Sequence, residues 1–486
     1  MKKSKLNKII LIVIFLLLIV LLVFMISKNN YSKEKSNLVI RKPAVAGAFY
    51  SNSQAKLEKQ LDLFFEKADS NYNNEKIDAL IVPHAGYIYS GQTAMFGYKK
   101  LYYDLMLRDE NNFKVIIIAP SHQEYFSGYS ITACNYYQTP FGKVKLADNN
   151  LITNKLNYKS LQEKEHSIEV QLPFLQYIFK KLNKDFEILP ILIGDIDNNK
   201  EILEISKLIE KEITPNTIII VSSDLSHYLP KDKANLIDKK TINNILENKT
   251  SSKEEIDACG RLPILILSQI AKDNNWKNKL INYSDSGDIT KDKSAVVGYS
   301  SISYFEDYNS QNTNHILKRI AKASISNEFT KREDNFKDLT SILPKEYLEK
   351  KGVFVTLTLD EQLRGCIGNI IGKNSVFESV IENSKLSAFD DSRFLPLTKE
   401  EFEEEDFEIE ISILSIPAPC SLEEIKVGEG VILQNGFNSA LYLPQVWEQL
   451  PDKNKFLSSL CQKAGLSKEC YKEKETKFKK FNVEII

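Results

Sequence analysis

Four of the five histidines in this 486-residue chain fall in one part of the sequence, each beside residues that end a strand or begin a turn. They are His84 in Val82-Pro83-His84-Ala85-Gly86-Tyr87, His122 in Ala119-Pro120-Ser121-His122, His166 in Glu165-His166-Ser167, and His227 in Asp224-Leu225-Ser226-His227. Neutral imidazole binds zinc, copper, iron and nickel, and a thiolate such as that of Cys259 adds affinity for softer ions. A catalytic mononuclear site needs three protein ligands and an open position. The same residues could instead form a nucleophilic pair, with Cys259 attacking and His227 as its base. Neither H-E-x-x-H nor G-x-S-x-G occurs, so either site must be assembled from distant segments. On the residues alone both chemistries stay open. A third reading needs no chemistry and makes the chain a binding scaffold.

The elements that must position these residues follow from the apolar pattern. Leu57, Leu61, Phe64 and Phe65 recur at helical spacing within Gln54 to Ala68. Ile77 to Val82 reads as a strand that ends at His84, and Lys114 to Ala119 as a buried strand that runs into His122. Gln92 to Leu105 is expected to be helical. Strands at Phe186 to Ile193, Thr217 to Val221 and Ala295 to Phe305 alternate with helices at Lys200 to Glu212 and Leu262 to Lys272. This alternation predicts an α/β sheet with helices on its faces. In such sheets ligands bind beyond the carboxyl ends of the strands, which is where His84, His122 and Asp224 fall.

Composition narrows the function classes. The 64 basic residues balance 65 acidic ones, for a formal net charge of -1, so no nucleic-acid partner is expected. Six cysteines at irregular spacing contain no C-x-x-C, which excludes a zinc ribbon and a thioredoxin motif, while two C-terminal cysteines could pair. At the N-terminus a basic flank, residues 1–8, precedes an unbroken apolar run from Ile9 to Ile26. As a helix that run approaches the roughly 30 Å hydrocarbon core of a bilayer. It exceeds a usual signal-peptide core, and no A-x-A-like cleavage site precedes Asn29. The expectation is a single-pass membrane anchor. Lys2, Lys3, Lys5 and Lys8 on its N-terminal side lean toward an extracytoplasmic body. A polar tether, 27–40, follows, then a globular region to residue 305, a polar linker at 306–314, and a second globular unit at 315–486. In that last unit a helix is expected near His315 to Phe329 and strands at Val353 to Leu359 and Glu408 to Leu414.

Several of these motifs together carry a resemblance. Pro83-His84-Ala85-Gly86-Tyr87, Pro120-Ser121-His122, Glu165-His166-Ser167-Ile168-Glu169, Ser222-Ser223-Asp224-Leu225-Ser226-His227 and Cys259-Gly260-Arg261-Leu262-Pro263 occur in the order seen in the Memo family. That family resembles in fold the class III extradiol dioxygenases, which use non-haem iron. The resemblance implies a mixed sheet flanked by helices, with His84, His122 and Cys259 as ligands of one iron or copper ion. It places Asp224 and His227 close by and His166 on the cleft wall. Arg261 would either steer an anionic group or pair with a carboxylate. Dioxygenase activity does not follow from a fold.

The second unit contains Leu363-Arg364-Gly365-Cys366-Ile367-Gly368, read from its glycines as a tight turn around a buried cysteine. This stretch resembles the signature of the AMMECR family, as do Asp391-Ser392-Arg393-Phe394-Leu395-Pro396-Leu397 and Leu443-Pro444-Gln445-Val446. A smaller α+β domain is the implied fold, with Arg364 and Cys366 as candidate functional residues. A Memo-like half joined to an AMMECR-like half is the arrangement called AmmeMemoRadiSam, whose third member is a radical-SAM protein. No radical-SAM cluster motif is present here, so that partner would be a separate chain. The combined expectation is a membrane-anchored metalloprotein in redox or dioxygenase-like chemistry, with His227 or His166 moving protons and Asp224 orienting one of them.

Overall fold

The computed structural model describes residues 38–69, 74–132, 134–148, 164–196, 198–249, 255–306, 316–331 and 336–486. They form two compact units, one drawn mainly from residues 78–304 with the preceding segment to 69, the other mainly from 305–486.

The first unit is built on a mixed sheet. Its strands are β1 (Lys76–Val82), β2 (Asn112–Pro120), β3 (Tyr129–Ile131), β4 (Asp185–Ile193), β5 (Thr217–Ser222), β6 (His227–Leu229), β7 (Lys277–Asp285) and β8 (Val296–Glu306). They lie in the order β7-β8-β1-β5-β2-β4-β3, with β6 antiparallel to β8. The four central strands β1, β5, β2 and β4 run parallel, and β3 closes that edge antiparallel to β4. Val115, Ile116, Ile117 and Ile118 of β2 are all fully buried. A strand covered on both faces needs such an unbroken apolar run rather than alternation. The helices are α1 (Gln54–Lys67), α2 (Tyr87–Met106), α3 (Leu172–Leu182), α4 (Asn199–Glu210), α5 (Lys231–Leu246) and α6 (Arg261–Asp273). Pro173 stands in the first turn of α3, where its missing N–H costs nothing, and Asn183 ends the helix in the left-handed region.

The second unit holds two antiparallel four-stranded sheets. One contains β9 (Gly352–Leu359), β10 (Gln362–Asn369) and β11 (Phe407–Leu414), with Val483–Ile485 on its edge. Helix α7 (Ile316–Thr330) precedes it, and α8 (Val376–Phe389) lies on it through Asn383 and Ser387, which donate to the carbonyls of Val353 and Val355. The other sheet encloses Trp447 stacked on Phe456, with a disulfide between Cys461 and Cys470. The arrangement is α/β in the first unit and α+β in the second.

Two expectations are corrected. The single-pass, extracytoplasmic placement has no support: among the described residues no helix is long and apolar enough to cross a membrane. The apolar run of the long, continuous helix α2 is broken by Lys99, Lys100 and Asp104, and most of its other residues are buried. The expected span Ile9–Ile26, its basic flank and most of the tether lie outside the described residues, as do all but the first residue of the 306–314 linker, and His315. The second correction concerns Cys366, which sits within β10 rather than in a turn. The turn is Asp360-Glu361, both in the left-handed region, which joins β9 to β10 as a two-residue hairpin. The flanking glycines answer to packing. A Cβ on Gly365 would stand 2.1 Å from the Ser387 carbonyl oxygen, and one on Gly368 2.3 Å from the Phe354 ring.

Candidate metal centre

The parallel register brings the site together. Val82 of β1 pairs with Ser222 of β5, and Ile118 of β2 with Val221, so the three strands end on one edge of the sheet. His84, His122 and Asp224 each lie two residues past such an end. His166 arrives from the segment that precedes the short turn Glu169–Gln171 and α3. Cys259 immediately precedes Gly260, the residue that caps α6.

The rings of His84, His122 and His166 cluster, with centroids 5.0 Å apart for the first pair, 5.4 Å for His84 and His166, and 4.8 Å for His122 and His166. One ring nitrogen from each falls within 4.8 Å of the others. Cys259 Sγ lies 3.2 Å from His84 Nε2, and the Asp224 amide donates to the same sulfur at 3.2 Å. Asp224 is buried, accepts the His84 amide at 2.8 Å on Oδ1, and keeps Oδ2 4.0 Å from His84 Nε2. His227 is exposed, with Nδ1 2.8 Å from the Leu225 carbonyl. The structure thus groups His84, His122, His166, Cys259 and Asp224, and puts His227 nearby on the exposed strand β6. Arg364 and Cys366 belong to the other unit. There Arg364 makes a two-pronged pair with Glu401 at 3.0 and 2.9 Å, and Thr356 donates to Cys366 Sγ at 3.4 Å.

Electrostatics favour ligation over proton storage at His84. Burial, then the neighbouring rings of His122 and His166, hold its pKa well below that of free imidazole. Burial, followed by the Asp224 carboxylate, pushes the Cys259 thiol up. Burial also raises Asp224 against its hydrogen bond from the His84 amide. Beside the cluster a cleft of about 490 Å³ opens, lined among others by His122, Tyr125, Asp195, Cys259 and Arg261. The guanidinium of Arg261 is exposed, with no hydrogen-bond or ion-pair partner among the described residues.

Three residues with no role in the sequence reading hold this group. Glu165 places Oε1 3.2 Å from Nδ1 of both His122 and His166, and accepts the amides of His122, His166 and Ser167 at 2.6, 2.8 and 3.0 Å. Burial opposes its charge, but these bonds prevail and keep it well below the usual carboxylate range. Ser222 and Gln171 stand behind His84. Glu165 neighbours His166 in sequence, which was a usable signal. Ser222 and Gln171 gave none, since a strand-end serine and a buried glutamine have no spacing signature.

Against this geometry, the comparisons with known proteins decide the family. A family model described as Memo-like protein matches residues 41–303, and one described as AMMECR1 matches 318–486. The chain belongs to the Memo-like protein family. A MEMO1 family protein of Thermoplasma volcanium is 36% identical over 279 residues, covering 54% of this chain and 98% of that protein. One of Methanococcoides burtonii is 34% identical over 281 residues, covering 54% and 99%. Among solved structures, an uncharacterized protein from Pyrococcus horikoshii is 36% identical, covering 35% of this chain and 88% of that one at a TM-score of 0.31. A Memo-like part and an AMMECR1 part thus share one chain.

Proposed function

We propose that the Memo-like part holds one iron or copper ion and uses it in redox or dioxygenase-like chemistry on a small or peptidyl substrate. The observation that carries this reading is the convergence of His84, His122 and His166, with Cys259 against His84. The donor set fits the group: imidazole and thiolate together suit iron and copper, and the burial that keeps His84 neutral keeps it a ligand. His84 and His122 belong to the set whether Cys259 or His166 completes it. A bound ion of this kind would supply Lewis acidity and one-electron chemistry beside the cleft. The chain's own residues would do the rest. Asp224 fixes the His84 backbone, Arg261 faces the cleft with a free cation, and exposed His227 exchanges protons with solvent. Arg364 and Cys366 would serve a separate role in the AMMECR1 part, and a separate radical-SAM protein is the partner that the two-part arrangement implies.

The metal-free reading, a Cys259 nucleophile with a His227 base, has less support. The ring against Cys259 is that of His84, while His227 Nδ1 is engaged with the Leu225 carbonyl. Calorimetric titration of the full chain with iron(II) and copper(I) tests the choice. Binding near one equivalent that disappears in His84→Ala/His122→Ala is expected. Identical titrations in wild type and variant would overturn the metal reading. Stoichiometric alkylation of Cys259 in metal-free protein, protected by a substrate analogue, would favour the alternative.

A further inference from the structure

Hydrogen-bond accounting around His84 and His122 places a ring proton on Nδ1 of each. A serine hydroxyl has one proton to give and two lone pairs to offer. Ser222 Oγ stands 2.6 Å from the Ser167 carbonyl oxygen, which can only accept, so its proton points there. Its lone pairs then face Gln171 Nε2 at 2.8 Å and His84 Nδ1 at 2.9 Å. The Gln171 amide cannot be reversed: its Nε2 also meets the Pro83 carbonyl at 3.0 Å, and its Oε1 receives the Tyr98 hydroxyl at 3.0 Å. A reversed amide would set oxygen against oxygen at Pro83. His84 Nδ1 must therefore carry the proton, and Nε2 carries a lone pair directed at Cys259 Sγ. The same holds at Glu165. Its carboxylate can only accept, so His122 Nδ1, 3.2 Å from Oε1, donates to it, while His166 donates its backbone amide and keeps Nδ1 3.2 Å from the same oxygen.

We propose that Ser222, backed by Gln171, is a positioning residue that fixes the His84 imidazole with its proton on Nδ1 and its Nε2 lone pair toward Cys259 before any ion arrives, and that Glu165 orients the His122 ring by accepting its Nδ1–H. Such partners orient a ligand ring and raise its basicity, and their loss typically weakens metal affinity by about 10- to 100-fold. The proposal deepens the metal-centre reading, yet its first test is independent of metal.

With five histidines in the chain, ring-nitrogen NMR of histidine-labelled, metal-free full-length protein can be assigned by a His84→Gln spectrum. Wild type at neutral pH should show His84 neutral, protonated on Nδ1; a His84 protonated on Nε2 would overturn the proposal outright. In Ser222→Ala the proton should move to Nε2, where Cys259 Sγ accepts it, and cobalt(II) affinity should fall about 10- to 100-fold. Ser222→Thr, which restores the hydroxyl, should return the tautomer. An unchanged tautomer and unchanged cobalt affinity in folded Ser222→Ala would sink the idea. If wild type shows the Nδ1–H tautomer but binds no metal, the metal-centre reading fails and the positioning role stands.

Discussion

At the scale of single residues, the site depends on buried charges that are fully engaged. Glu169 has no exposure, yet it receives Arg41 Nη1 at 2.6 Å, the Tyr50 hydroxyl at 2.7 Å, and the amides of Ala44 and Val45 at 2.7 and 3.0 Å. Through it the segment at 41–50 is tied to the Glu169–Gln171 turn beside His166. Removing one member of a buried pair leaves the other charge uncompensated, so Arg41→Met should destabilise the first unit by about 3–5 kcal/mol. Chemical denaturation would show this; a loss below about 1 kcal/mol would mean that the remaining donors suffice. Asp391 in the second unit makes the pH-dependent counterpart. Arg393 hydrogen-bonds its carboxylate, and despite desolvation that bond and the Cys366 amide hold its pKa well below the ordinary value. Because the folded pKa is the lower one, its contribution is present above about pH 4 and is lost as pH falls through the folded value. Asp391→Asn should therefore flatten the fall in unfolding midpoint between about pH 4 and pH 2. A variant as acid-sensitive as wild type would contradict this.

Elements explain how much of the site the sequence could show. The runs at Lys114–Ala119 and Thr217–Val221 were legible as strands because parallel strands covered on both faces are apolar throughout, and their ends located His122 and Asp224. The register that aligns those ends is long-range and leaves no local trace. Short edge strands such as Tyr129–Ile131 and His227–Leu229 were not legible, since three residues carry no usable period. Cys366 was misplaced for a related reason: its glycines accommodate Ser387 of the covering helix and Phe354 of the neighbouring strand, while non-glycine residues take the left-handed turn. The start of α6 is the most constrained junction. A Cβ at Gly260 would fall 2.5 Å from Ser223 Cβ and 2.9 Å from the Ser222 carbonyl oxygen, and the Gly260 amide donates to Ser223 Oγ. Gly260→Ala should cost about 1–3 kcal/mol and displace Cys259 from His84. Thermal unfolding with cobalt(II) titration checks both, and a variant with wild-type values would show that the junction yields.

At the scale of the whole molecule, two families of fold share a chain whose formal charge is nearly zero, so recognition must come from local features such as the cleft. The second unit also has a covalent tie: the buried Cys461–Cys470 pair, nine residues apart, closes a short loop and packs within the unit's aromatic core. Replacing both with alanine should lower that unit's stability by roughly 2–3 kcal/mol, as loop-closure entropy predicts, and leave cobalt binding by the first unit intact. Unfolding curves with and without reductant would measure it, and insensitivity of wild type to reductant would count against it. The central claim is that distant strand ends assemble one transition-metal centre. Elemental analysis of the full chain, purified without oxygen and dialysed, tests it most directly. The account predicts close to one equivalent of iron or copper per chain, absent from His84→Ala/His122→Ala. Equal metal content in the two proteins, or none in either after incubation with both ions, would contradict it.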